Sequence, residues 1–139
     1  MCFGCGPSNP KGLGIRSFPA GEGLVAQWTP EDHHQAFPGV INGGIIGALL
    51  DCHSNWTAAW HIMQRDGESK PPVTVTADFH VRLRRPTPMK ELTIRSSIAE
   101  SEGDRAVVDA SIEVDGTTTA TCRGTFVRVR EGHPAWHRW

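Results

Sequence analysis

Apolar residues along this chain repeat with two different periods. Between residues 43 and 64 they return every three or four positions, and at about 100° per residue Ile45, Leu49, Cys52, Trp56, Trp60 and Met63 gather on one side, as in an amphipathic helix. A helix is therefore predicted over about 43–64, ended by Asp66 and Gly67. Elsewhere the period is two. Leu92, Ile94 and Ile98 alternate with Thr93, Arg95 and Ser97, and Val108, Ala110, Ile112 and Val114 follow the same rule. Strands are predicted over residues 13–18, 24–28, 73–83, 91–99, 105–114 and 118–129, with residues 30–40 as a loop. Pro19-Ala20-Gly21 and Lys70-Pro71-Pro72 interrupt the pattern, Asp115-Gly116 is a strong hairpin signal and Gly103-Asp104 a weaker one. The order of strand, strand, long helix and four strands describes an α+β layer protein, one long helix on an antiparallel sheet.

Asp51 stands out against the helical pattern. Measured from it, the apolar stripe is centred roughly 140° away, whereas Gly44, Gly47, Ala48, Asn55 and Ala58 lie within roughly 60°. A carboxylate on a face of small residues is either exposed at a cleft or placed to react. Asn42, Gly43 and Gly44 precede the helical run and form its start. Asn is a favoured N-cap, and the first amides, at the positive end of the helix dipole, suit a carbonyl oxygen that becomes negative during acyl transfer. Gly43 and Asp51 are roughly 12 Å apart along one helix, too far to touch one carbonyl. Two antiparallel copies of the helix in a homodimer would bring the start of one to the middle of the other.

Three segments resemble the hotdog-fold acyl-CoA thioesterases of the phenylacetate-degradation (PaaI-like) type: CFGCGPSNPKGLGI near the N-terminus, FPGVINGGIIGALLD in the centre, and TVTADFHVRLRRPTP from Thr74. The central segment matches the family's HGG motif with an acid eight residues after the first glycine, here Gly43 and Asp51. The resemblance implies a hotdog fold, with a long central helix wrapped by the sheet. It implies Asp51 as general base or nucleophile, and the Gly43 amide of a neighbouring subunit as the donor that polarises the thioester carbonyl. It also implies that Thr76 helps to hold the water and that Asn55, one turn after the acid, assists.

One position departs from the family. Asn42 stands where the family commonly has histidine, so no imidazole can donate a proton there, although Asn still caps the helix and can donate through its amide. A polar residue that precedes the motif in the family would fall near Ala36, with Gln35, His34 and His33 as the available substitutes. Gly44, Phe37 and His34 are expected at the substrate, as are Ile46 and Leu50 at the pocket border. Arg84 and Arg85, near a strand end, are expected to meet the phosphates of a CoA nucleotide. His53 is expected to be packed or hydrogen-bonded and to take no part in catalysis.

Composition sets limits that agree. The 139 residues are 38% hydrophobic, enough for one globular domain with a core, here residues 1–139. A formal charge of -1 leaves no footprint for nucleic acid or an anionic membrane. No stretch approaches a membrane span or a signal peptide, so a cytoplasmic protein is expected. Cys2 and Cys5 form a CxxC pair, but a structural zinc would need two further ligands, for which His33 and His34 are candidates; Cys52 belongs to the helix stripe and Cys122 to a strand. No metal and no cofactor are expected. The tail from His133 carries two tryptophans that either pack on a neighbouring subunit or fray.

The sequence thus describes a homodimeric or homotetrameric thioester hydrolase acting on acyl-CoA. A dehydratase would need the histidine that Asn42 replaces. A non-catalytic acyl-binding hotdog module would keep the pocket without using the acid.

Overall fold

A computed structural model describes residues 1–136; of the tail, residues 137–139 lie outside the described residues. In chain order, β1 (Phe18–Ala20) and β2 (Gly23–Trp28) precede a 3-10 turn (Asp32–His34) and the small pair β3 (Gln35–Phe37) and β4 (Val40–Ile41). The helix α1 (Gly43–Asp66) follows, and then β5 (Thr74–Leu83), β6 (Leu92–Glu102), β7 (Arg105–Val114) and β8 (Thr117–Arg128).

The ends of α1 are set by local chemistry. Asn42 is extended, and its Oδ1 accepts the Gly44 amide at 2.8 Å, which satisfies one of the donors a helix start leaves free. At the other end Gly67 adopts the left-handed conformation (φ 67°), so that its amide and that of Glu68 turn back to the Gln64 and Met63 carbonyls. Arg128 then ties this end to β8, reaching Asp66, Glu68 and Asp104 from a largely buried position. Among the described residues no helix is long and apolar enough to cross a membrane.

Six strands form one antiparallel sheet in the order β1-β2-β6-β7-β8-β5, and α1 lies across it. The β7–β8 hairpin turns on Asp115 (φ 50°) and Gly116 (φ 75°), the left-handed pair that a two-residue turn requires. Cross-strand rows such as Ala26–Ile94–Ile112–Ala120 make the apolar surface beneath the helix.

The helix presents a different face to that surface than the apolar stripe predicts. Ile46, Leu49, Leu50, His53, Ser54, Thr57 and Ile62 are buried, while Ile45, Cys52, Trp56, Trp60 and Met63 are half-buried along one flank. The polar members of the buried face find partners on the sheet and on the segment before it. Thr57 Oγ1 donates to the His53 carbonyl at 2.9 Å and lies 2.5 Å from Ser96 Oγ, while the His53 ring spans Ser17 Oγ at 2.8 Å and the Leu24 carbonyl at 3.2 Å. Polar side chains bonded in this way are cheap to bury, so they take core positions that a hydrophobicity pattern assigns to solvent. His53 is accordingly a packed, hydrogen-bonded residue, as expected.

Two loop regions also differ from expectation. Residues 13–17 lie outside the sheet, because Leu13 and Ile15 bond through their amides to Phe3 and Gly4 of the N-terminal turn, at 2.7 and 3.0 Å. Residues 30–40 hold the 3-10 turn and β3 in place of a plain loop.

Candidate active site

A bulge in β5 decides which of its side chains face α1. Thr76 pairs with Phe126 and Asp78 with Thr125, leaving Ala77 between them without a cross-strand partner. Before the bulge, Thr74 and Thr76 face the helix. After it Phe79 and Val81 pack on the core, and Asp78, His80 and Arg82 go to the outer face of the sheet.

The middle of α1 meets the first half of that strand. Thr76 Oγ1 donates to Asp51 Oδ1 at 2.7 Å, and one helical turn on, Asn55 accepts from Thr74 Oγ1 and donates to the Thr74 carbonyl at 3.5 Å. Two parallel rungs thus join helix and strand. Asp51 and Asn55 are half-buried, and with both threonines they line a cavity of about 640 Å³ that Trp56 and the N-terminal turn (Cys2, Phe3, Cys5) help to wall. A carboxylate held by one hydroxyl keeps its other oxygen available to a water in that cavity.

Gly43 is at the other end of β5. A methyl group added there would sit 3.0 Å from Leu83 Cδ1, and its amide has no acceptor among the described residues. Asn42 caps this helix start as expected, with Gly44 as its partner. Along the strand, Thr76 and Leu83 are separated by roughly 23 Å. The structure therefore brings Asp51, Thr76 and Asn55 together and leaves Asn42, Gly43 and Gly44 apart from them within one chain.

The remaining candidates are redistributed. Ile46 and Leu50 are interior residues and do not border the cavity, because the helix is turned relative to the predicted stripe. Phe37, 65% exposed on β3, also stands away from the cavity lining. His34 is buried against Trp28, and its Nδ1 accepts the Glu31 amide at 2.9 Å while its carbonyl takes the Asn42 amide, so it shapes the approach to α1 and does not meet the cavity. Burial, and next the charge of His33, lowers its pKa. Arg84 donates from Nε to Thr121 Oγ1 at 3.1 Å and lines a second cavity of about 880 Å³ on the outer face with Arg82 and Arg95; Arg85 follows it, exposed.

Thr74, Trp56 and the N-terminal turn also line the cavity, a place the sequence does not assign to them. Thr74 is legible there, since it lies two residues from Thr76 and so on the same strand face before the bulge. The approach of the cysteines depends on the fold and has no local signal. Cys52, on the half-buried flank of α1, meets Cys2 and Cys5 there. Hydrogen bonding from Cys52, first among several causes, draws the Cys5 thiol down to about 6, and the same contact, with burial, pushes Cys52 up.

One long helix laid on this sheet, with a strand hydroxyl holding the helix carboxylate at a cavity, defines a hotdog-fold protein. Residues 38–128 match the family model of the Thioesterase superfamily, and the chain belongs to that superfamily. A thioesterase superfamily protein from Shewanella loihica is 30% identical, with a TM-score of 0.70 over 84% of this chain and 92% of that one. The Escherichia coli PaaI protein from the phenylacetic acid degradation operon shares the fold at 20% identity, TM-score 0.71, over 85% of this chain and 81% of its own. So does a Bacillus halodurans protein crystallised with CoA, at 21% identity and TM-score 0.68, over 86% of this chain and 76% of that one. No curated protein matches the chain.

Proposed function

We propose that the protein is a homo-oligomeric acyl-CoA thioesterase in which Asp51 activates a water held against Thr76, while the Gly43 amide of the partner subunit stabilises the thioester oxygen. The observation that carries this reading is the placement of the two half-sites at opposite ends of one edge strand. Asp51 meets β5 at Thr76, and Gly43 meets it at Leu83. β5 ends the sheet with a ten-residue edge whose last side chain, Leu83, is 59% exposed. A long unpaired edge with exposed apolar side chains favours pairing with another copy of itself. Antiparallel pairing about a two-fold axis near Phe79 and His80 exchanges the ends, setting the Leu83 end of one protomer beside the Thr76 end of the other. Each dimer then holds two complete sites.

The chemistry follows from these parts. Asp51 takes a proton from water as its oxygen attacks the thioester carbon; the carbonyl oxygen gains charge and is met by the Gly43 amide at the positive end of α1. The intermediate collapses with expulsion of CoA as thiolate, a leaving group that needs little acid assistance. Asn42 in place of a histidine is consistent with that economy. In the same dimer the segment directly after Leu83 ends beside the partner's cavity, where the exposed Arg85 can offer a guanidinium group to the nucleotide phosphates of CoA, while Arg84 stays turned to the outer face. The Bacillus neighbour bound to CoA supports this substrate class.

Release of free thiol from a panel of acyl-CoAs of graded length and aromaticity tests the reading. Turnover of at least one member is expected. Binding of acyl-CoA with no thiol release across the panel would leave an acyl-binding module in its place.

A further inference from the structure

The N-terminal turn carries its own chemistry. The sulfurs of Cys2, Cys5 and Cys52 all lie within 4.8 Å of one another, with Cys2 Sγ 3.6 Å from Cys52 Sγ, and all are free thiols. They are brought there by construction of the turn. The Gly6 amide bonds back to the Cys2 carbonyl at 2.9 Å, which closes the turn so that the side chains at its two ends converge. Between them Gly4 lies against α1, where an added Cβ would be 2.2 Å from Cys52 Sγ, so only a glycine allows so close an approach. Behind the turn, the Leu13 and Ile15 amides hold Phe3 and Gly4 from the other side.

Three sulfurs at this spacing fit one ligand chemistry closely. A tetrahedral zinc with bonds of about 2.3 Å to thiolate sulfur requires its sulfurs to be about 3.8 Å apart, within the range observed. A disulfide would join only two of the three and would need sulfurs at about 2.05 Å. The C-x-x-C spacing is that of a paired zinc-binding cysteine motif, and the third thiol, from α1, adds a ligand distant in sequence. Cys122, buried elsewhere against Ser54, is not part of the group.

We propose that Cys2, Cys5 and Cys52 form a three-thiolate site for a thiophilic d10 cation, with Zn²⁺ the first to be considered and a solvent molecule of the adjoining cavity as fourth donor. Binding replaces the thiol protons with sulfur–metal bonds and releases those protons to solution. The bound ion fixes the N-terminal turn on α1, immediately beside Asp51, and so fixes one wall of the cavity. This site stands or falls independently of the thioesterase reading.

The test is made under a phosphine reductant that does not bind zinc. Protein equilibrated with Zn²⁺ and desalted is assayed for metal by inductively coupled plasma mass spectrometry, for wild type, Cys2→Ser, Cys5→Ser, Cys52→Ser and Cys122→Ala. Close to one equivalent per protomer is expected in wild type and Cys122→Ala, with loss of most of it in the other three. Cys2 is exposed, so its variant keeps the fold, which gel filtration and circular dichroism check. Co²⁺ in place of Zn²⁺ should give thiolate-to-metal charge-transfer absorption, and Zn²⁺ should slow amide hydrogen exchange in residues 2–16 of wild type but not of Cys5→Ser. Zinc retention in wild type no greater than in a Cys2→Ser/Cys5→Ser double variant would overturn the proposal, as would stoichiometric zinc that survives all three serine changes.

Discussion

Thr76 donates its hydroxyl proton to Asp51 across the gap between the edge strand and the middle of the helix, at 2.7 Å. The bond fixes the carboxylate's direction and occupies one of its oxygens. The consequences of that pairing, and of the distance from it to Gly43, are open to measurement.

Asp51→Asn preserves size and the ability to accept from Thr76, but removes the base. If Asp51 activates water, thiol release should fall by about 10² to 10⁴-fold with the oligomer unchanged. Wild-type turnover in the purified variant would remove Asp51 from the mechanism.

Thr76→Val deletes the donor and leaves the volume. A single hydrogen bond of about 1 to 2 kcal/mol corresponds to roughly a tenfold loss, expected in kcat more than in KM, with recovery in Thr76→Ser. Equal losses in the valine and serine variants would point to packing, and the hydroxyl would have no positioning role.

The shared site predicts complementation. Gly43→Pro removes the amide donor at a position where proline suits a helix start, and the preceding Asn42 already has the extended ψ of 134° that proline favours. Mixed with Asp51→Asn after subunit exchange, it should restore about a quarter of wild-type activity, since random pairing makes half the dimers mixed, each with one intact site. Mixtures that remain inactive while exchange is demonstrated by mass spectrometry would rule out a site divided between subunits.

His53 predicts an acid-sensitive fold. Burial lowers its pKa to about 4 in the folded protein, against an ordinary value of 6.5, so between those pH values the unfolded chain binds a proton that the folded one refuses. Stability is then lost as pH falls from 6.5 towards 4, by up to about 3 kcal/mol. Asp66, held below the usual carboxylate range by Arg65 and then Arg128, adds a further loss at lower pH. Urea unfolding across that window should show the slope, and His53→Gln should flatten it; an unchanged slope in the variant would assign the acid sensitivity to other groups.

Much of this architecture is legible in the sequence because it is written in local chemistry. Asn42 and Gly67 bound the helix, and Asp115-Gly116 dictates its hairpin. Asp51 stands out by its place on the helix, the family resemblance adds Thr76 and Asn55, and the three line one cavity. The orientation of the helix is less legible, because His53, Ser54 and Thr57 look solvent-facing until their partners on the sheet are known, whereas Trp56 and Trp60 look interior. Long-range pairings were beyond local reading altogether. Residues 13–17 look like a strand but bond to the N-terminal turn, and nothing in the spacing of Cys2 and Cys5 points to Cys52.

The unpaired Ala77 gives β5 something like a reading frame. Upstream of it even-numbered side chains point to the helix, downstream odd-numbered ones do, so deleting one residue there would restore a single phase and force a choice between the hydroxyl at Asp51 and the ring of Phe79 in the core. Insertions and deletions among relatives should therefore accumulate in the α1–β5 connection and at the β6–β7 turn, while the segment from Thr76 to Phe79 keeps its length.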